Sequence, residues 1–125
     1  MLPLYLAEED IRRDSGYSPA IEHAGEGLVV LTLGITRIVE QEGLDVSIYG
    51  SADGVNWSVK PLLTIPTKHY CGTYTFFLDL GSRPEVRYLR AGWRMHRWGT
   101  GGRPLFSFYL TASKARAAVE VAGVA

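Results

Sequence analysis

The residues best suited to bind a metal are three histidines and a single cysteine. His69 and Cys71 lie two positions apart, so on a strand both side chains would point to the same face. A zinc site needs at least three protein ligands, and the other histidines, His23 and His96, are distant in the sequence. We therefore predict that the protein holds neither a metal nor a cofactor.

A second group of possible ligands lies in the turn that contains Asp53, Gly54 and Asn56. Calcium takes about six to eight oxygen ligands, and this short segment supplies too few of them. A tight turn between two strands, with Gly54 at positive φ, explains the same residues without a metal.

Catalytic motifs are absent from the sequence. No serine, histidine and acid form a nucleophile motif such as Gly-x-Ser-x-Gly. Gly99, Gly101 and Gly102 resemble a phosphate-binding loop, but no helix start follows them to provide aligned amides. The adjacent carboxylates Glu8 and Glu9 fit a solvated acidic segment better than a catalytic pair. We expect a protein that is not an enzyme.

The charges cancel overall but are unevenly distributed. Thirteen basic and thirteen acidic side chains give a net charge of zero, which disfavours nucleic acid and anionic membranes as partners. Residues 1–26 are acidic, whereas residues 83–103 contain six arginines. We predict that the acidic segment crosses to a neighbouring copy; the alternative is that it folds back on its own domain. The residues predicted to meet at this contact are Glu8, Glu9, Asp10, Arg90, Arg94 and Arg97.

Aromatic residues accompany the basic segment and suggest two kinds of ligand. Arginines interleaved with rings such as Trp98 can bind single-stranded nucleic acid, although the balanced net charge argues against it. Trp57, Trp93 and Trp98 could stack on sugar rings if two of them were exposed on one surface. Trp93 lies on the same side of its predicted strand as the apolar residues that face the core. We therefore do not expect all three tryptophans to form one exposed platform. Trp57 and Trp98 stay possible ligand contacts, and carbohydrate is left open.

The elements that would position these residues are strands, because apolar side chains recur with a period of two. Residues 28–39, 44–50, 73–80, 86–98 and 106–111 read as strands separated by turns, and residues 62–65 as a shorter one. Helix signals occur only at Ala7–Asp14 and Lys114–Ala122. We predict that the core consists of Val46, Ile48, Tyr74, Phe76, Leu78, Leu89, Trp93, Phe106 and Phe108.

Length and pattern together predict one domain. A chain of 125 residues has room for one core, and strands without βαβ alternation favour two packed antiparallel sheets. The predicted fold is an all-β antiparallel sandwich, jelly-roll or Ig-like, with short helical or extended terminal arms. Residues 1–26 would form an N-terminal arm and first strand, residues 27–113 the sandwich, and residues 114–125 a tail.

Cellular location follows from absent signals in the sequence. Cys71 is the only cysteine, so no intrachain disulfide can form. The N-terminal sequence lacks a basic region and turns acidic after seven residues, which predicts no signal peptide. No apolar run approaches the ~20 residues of a membrane span. We expect cytoplasmic synthesis.

The order of segments resembles a known group of proteins. A strand that leads into Ser51-Ala-Asp-Gly-Val-Asn-Trp57, then Arg87-Tyr-Leu-Arg90, then Pro104-Leu-Phe-Ser-Phe108, is similar to small β-sandwich structural proteins of tailed phages and prophages. The similarity covers residues 28–112. The Ser-x-Asp-Gly-x-x-Trp turn also resembles discoidin-like carbohydrate-binding sandwiches.

The two resemblances imply two functions. The first implies a non-enzymatic structural subunit of a symmetric homo-oligomer, decorating a capsid or associated with a tail, whose partners are copies of itself and other capsid or tail proteins. Its location would be a virion or virion-like particle. The alternative is a ligand- or carbohydrate-binding module of the discoidin-like type.

Overall fold

The fold is built from strands alone in the part of the chain that the computed structural model describes, which comprises residues 4–22, 27–98 and 102–114. These residues contain no helix, and hence none long and apolar enough to cross a membrane. The strands are β1 (Leu4–Arg12), β2 (Gly16–Tyr17), β3 (Ile21–Glu22), β4 (Leu28–Ile38), β5 (Glu42–Ser51), β6 (Leu63–Lys68), β7 (Gly72–Asp79), β8 (Tyr88–Arg97) and β9 (Phe106–Lys114).

The strands form two antiparallel sheets that pack face to face. Sheet A has the order β1-β9-β4-β7, and sheet B has the order β2-β8-β5-β6, with β3 also paired to β8. If β2 and β3 are counted as one interrupted strand, eight strands are divided equally between the sheets in the order of a jelly roll. The predicted sandwich is therefore confirmed, and its strand order is that of the jelly roll.

The edge strand formed by β2 and β3 is interrupted at Ser18 and Pro19. A proline cannot donate a ladder hydrogen bond, so it breaks regular pairing. Ser18 compensates on both sides: its N–H donates to the Ala91 carbonyl, and its hydroxyl accepts from the Ala91 N–H, each at 2.8 Å. Ser18 thus keeps β2 and β3 against β8 and holds Tyr17 at the margin of sheet B.

The core lies between the sheets and follows the predicted alternation. Most of the predicted core side chains are buried, namely Val46, Ile48, Leu78, Leu89, Phe106 and Phe108. Tyr74, Phe76 and Trp93 are only partly buried but pack against the same cluster. Tyr74 and Phe76 lie on edge strand β7, where the Lys68 ammonium, 4.3 Å and 5.5 Å from their ring centroids, covers them. The predicted core-facing sides of these strands are therefore correct.

The expectation of a helical turn at Ala7–Asp14 is wrong. These residues belong mainly to β1, which pairs with β9 and contains two register shifts. Leu6 and Ala7 are buried in the core, so tertiary pairing outweighs local helix propensity. The acidic segment thus lies in the sheet of its own chain. The second predicted helix, Lys114–Ala122, lies almost wholly outside the described residues.

Substitution of Phe106 tests the position of the core. Phe106 is completely buried, so Phe106→Ala should lower the free energy of unfolding by about 3–5 kcal/mol, measured by denaturant titration. Ile11→Ala, on the outer face of β1 where the side chain is 52% exposed, is the control and should cost less than about 1 kcal/mol. Equal costs for the two variants would contradict the assignment of faces.

Candidate functional site

The outer face of sheet B contains a groove that runs across its strands, here called the sheet B groove. Gly92 of β8, Ser47 of β5 and Thr64 of β6 lie opposite one another in register and form its floor. Their small side chains leave an open volume of about 510 Å³, within the usual range of small-molecule sites. The groove exists because sheet B carries small residues in one row between two rows of large ones.

Two tyrosines form one wall of the sheet B groove. The rings of Tyr17 and Tyr49 stand 6.1 Å apart, centroid to centroid, in an edge-to-face arrangement. Both rings lean over Gly92, where an added Cβ would come within 2.8 Å of Tyr17 and 3.0 Å of Tyr49. A glycine is therefore required beneath the two rings.

The aromatic wall is supported from outside the groove by Arg90. Its guanidinium carbon lies 4.3 Å from the Tyr17 ring centroid and 4.5 Å from that of Trp57. The Nε of Arg90 is buried and has no hydrogen-bond partner among the described residues. Arginine between two aromatic faces is a stabilising cation–π arrangement, and here it restricts the Tyr17 ring.

The opposite wall carries one carboxylate and one guanidinium. Asp45 and Arg94 face each other across β5 and β8. Asp45 accepts a hydrogen bond from the Thr67 hydroxyl and lies 3.8 Å from Nδ1 of His96. Arg94 is exposed and makes no hydrogen bond within the described segments. The groove can therefore offer both an acceptor and a donor to a ligand, with no net charge from this pair.

A second pocket, of about 540 Å³, lies at the end of sheet B around Trp98. The Trp98 ring stacks on His96 at 5.9 Å and meets His69 edge to face at 5.7 Å. Glu42 lines this pocket, but its carboxylate accepts from the Val39 N–H at 3.0 Å and the Leu105 N–H at 2.8 Å. Glu42 therefore caps backbone amides and connects two segments of the chain.

The Ser-x-Asp-Gly-x-x-Trp segment forms a self-contained turn. The Asp53 carboxylate accepts from the N–H groups of Val55 and Asn56 and from the Asn56 side-chain amide, each at 2.8 Å. These donors, the Asn56 N–H foremost, lower the pKa of Asp53 well below its ordinary value. Gly54 has φ of 81°, as the sequence predicts. The Asp53 oxygens thus serve the turn, which holds Trp57 against Arg90.

The predicted contact residues are dispersed over the surface. Glu8, Glu9 and Asp10 lie on β1 of sheet A, whereas the arginines lie on β8 of sheet B, and no hydrogen bond or ion pair joins these six described residues across the two groups. Arg94 lines the sheet B groove, Arg90 supports it, and the Arg97 Nε donates to the Glu40 carbonyl at 3.3 Å. Their pairing with a neighbouring copy stays a prediction.

The three tryptophans have separate environments and form no common platform. Trp57 contacts Arg90, Trp98 contacts the two histidines, and the partly buried Trp93 packs edge to face on Phe108 at 5.5 Å. Tyrosines take the role of exposed rings in the groove. Strand alternation places Tyr49 on the outer face, but the sequence has no signal that brings Tyr17 beside it.

The strand parity proposed for His69 and Cys71 is wrong, because β6 ends at Lys68 and both residues lie in the connection to β7. His69 Nδ1 is 3.1 Å from the Glu42 carbonyl oxygen, and Cys71 is exposed. Over residues 4–22, 27–98 and 102–114, no three His, Cys, Asp or Glu side chains are grouped to hold a metal. His23 and most of the Gly99–Gly102 loop lie outside these ranges.

Comparison with known proteins finds no match to any family model and none to a curated protein. The surfaces of this fold are therefore the features from which its function can be inferred.

The pH dependence of stability tests the role of Asp53. Because the pKa of Asp53 is lower in the folded chain, its contribution is present above the unfolded value of about 3.9 and is lost as the pH falls below it. Asp53→Asn removes this dependence. The melting temperature of the parent should therefore exceed that of the variant at pH 7, and the difference should shrink below about pH 4. A difference that stays constant from pH 7 to pH 2 would contradict the assignment.

Proposed function

We propose that this chain is a non-enzymatic structural subunit of a symmetric homo-oligomer, and that copies associate through strand β7. The observation that carries the proposal is an unprotected sheet edge. β7 has eight residues, lies at the end of sheet A and pairs with β4 over its whole length without a register shift. Nothing in the described part of the chain pairs with its other side.

Exposed edge strands normally carry features that prevent pairing with another chain, such as prolines, charges and bulges. The other edges of this sandwich have them. β1 contains two register shifts and three consecutive acidic residues, β6 contains Pro66 and Lys68, and the edge formed by β2 and β3 is interrupted at Pro19. β7 itself contains neither proline nor lysine, and its one charged residue is the terminal Asp79; the Lys68 ammonium of β6 lies over the core-facing rings of Tyr74 and Phe76. The difference supports β7 as a pairing edge.

The outer face of sheet A beside β7 is also suited to association. Thr111, Thr32 and Thr75 lie opposite one another in a row across three strands. The middle of this face carries no charged side chain among the described residues, whereas Glu9, Arg37 and Asp79 lie at its ends. Depletion of charge is typical of the centre of an interface. The residues of the middle are Tyr5, Val30, Thr32, Gly34, Thr73, Thr75, Phe77, Tyr109, Thr111 and Ser113.

In an edge-to-edge pair only the β7 side chains of this face come next to another copy, so Phe77 is the exposed ring that gains contact there. Phe77 is 57% exposed, and Tyr5, 56% exposed, packs edge to face on Tyr109 with centroids 6.4 Å apart. Antiparallel pairing of two β7 strands about a two-fold axis would join the two copies of sheet A into one continuous sheet. Main-chain hydrogen bonds and the Phe77 rings would then hold the copies together.

The proposed setting is a virion-like particle, in which the chain would be a capsid- or tail-associated subunit. This part of the proposal rests on the segment order that resembles small phage structural proteins. Jelly rolls occur in capsid proteins and equally in lectins, so the fold alone does not select the setting.

A charge in the middle of β7 tests the interface. Thr75 is exposed near the centre of the strand, so in a two-fold pair the introduced charges of Thr75→Lys would lie close together and repel. We expect the parent to sediment as a discrete oligomer and Thr75→Lys to dissociate into folded monomers, with a dissociation constant raised at least about tenfold, equivalent to about 1.4 kcal/mol.

Thr64→Lys is the matched control, since Thr64 is an exposed threonine on β6, the edge of the other sheet. This variant should sediment like the parent. Circular dichroism should show that both variants are folded. A parent that stays monomeric at high micromolar concentration, or a Thr75→Lys variant that keeps the parent's mass, would contradict the proposal.

A further inference from the structure

A distinct surface, on the opposite side of the sandwich from the proposed interface, has the chemistry of a ligand site. We propose that the sheet B groove binds a neutral saccharide. The inference goes beyond the assembly function, since it uses sheet B, whereas association uses the β7 edge and outer face of sheet A.

The groove has a shape that can accommodate a ring-shaped ligand. Its floor is a row of small residues, Gly92, Ser47 and Thr64, and the row continues to Tyr17 on β2. A ligand lying across the strands would contact the floor through backbone and two hydroxyls, with the Tyr49 ring beside it. The open volume of about 510 Å³ leaves room for a ring-shaped group.

The aromatic wall of the groove offers an exposed ring against which a ligand can pack. Tyr17 is 59% exposed although its ring is restricted by Arg90 on one side and Tyr49 on the other. An exposed ring that is already ordered loses little conformational freedom when a ligand packs against it. The apolar C–H face of a pyranose is a suitable partner for such a ring, because it supplies apolar area while its hydroxyls point towards the margins.

The polar groups of the groove match the hydrogen-bonding needs of sugar hydroxyls. Sugar hydroxyls both donate and accept, and the groove supplies both complements: Asp45 accepts, Arg94 donates, and the hydroxyls of Ser47 and Thr64 can do either. Asp45 uses one oxygen for Thr67 and keeps acceptor capacity on the other. A hydroxyl pair of a sugar could therefore bridge Asp45 and Arg94.

The charges in the groove favour a neutral ligand over a polyanion. Asp45 and Arg94 are cross-strand neighbours of opposite charge, and the guanidinium of Arg90 lies against two aromatic rings. A polyanion such as nucleic acid needs a run of uncompensated cations. The groove has no such run, since Arg94 is the one cation among the described residues that line it. The balance therefore favours a neutral polyhydroxylated ligand.

The test uses affinity electrophoresis of the full chain with four neutral polysaccharides, a β-glucan, a mannan, a galactan and a xylan, and with acidic polygalacturonate. We expect at least one neutral polysaccharide to retard the parent. Tyr49→Ala removes half of the aromatic wall, and Arg94→Gln replaces the exposed guanidinium with a shorter, uncharged amide without touching the core. Each should weaken binding about tenfold in titrations with the matching oligosaccharide.

Gly92→Ala is a third variant, because its Cβ would occupy the floor beneath both tyrosines. Tyr70→Ala is the matched control, since Tyr70 is an exposed tyrosine outside the groove, and it should bind like the parent. Binding to none of the neutral polysaccharides would overturn the proposal. Stronger binding to polygalacturonate, or binding that survives both Tyr49→Ala and Arg94→Gln, would also overturn it.

The two proposals can fail separately. Thr75→Lys should lose association and keep saccharide binding, whereas Arg94→Gln should keep the parent's sedimentation and bind saccharide about tenfold more weakly. A protein that assembles but binds no sugar leaves the assembly function standing alone. A monomer that binds sugar through the groove supports only the ligand site.

Discussion

Alternation of side chains along each strand is the constraint on which the rest of this structure depends. Because neighbouring side chains point to opposite sides of a sheet, burying one set leaves the other set on the outer surface. Phe106, Phe108 and Leu110 of β9 are completely buried, and this places Tyr109 and Thr111 outward. The two outer faces are thus a direct consequence of how the core is filled.

The two outer faces nevertheless differ in character. The outer face of sheet A is flat and uncharged in its middle, where Tyr109 lies over Gly34 and the threonines form a row. The outer face of sheet B is grooved, because its middle row is small and the flanking rows carry rings and charges. A flat uncharged face suits a large partner, and a groove with paired donor and acceptor suits a small one.

Connections between strands rely on polar side chains that serve backbone groups. Glu42 accepts from the amides of Val39 and Leu105, and Asp53 accepts from the amides of its own turn. Arg12 of sheet A lies over the rings of Trp93 and Phe108 and donates to the Phe108 carbonyl. Because Trp93 belongs to sheet B, Arg12 connects the two sheets. These side chains would look like catalytic or ligand residues in isolation, but their hydrogen-bonding capacity is largely used for structure.

The sequence by itself determined strands β4 to β9, their buried faces and the Asp53 turn, because these depend on residues a few positions apart. Tertiary structure alone decided the strand order, since pairing joins residues as distant as Tyr17 and Gly92. It also made a strand of the helix-compatible segment Ala7–Asp14, because burial of Leu6 and Ala7 beside β9 outweighs a weak local preference. For the same reason the sheet B groove and the open edge of β7 could not be predicted: each exists only once non-adjacent strands have taken their neighbours.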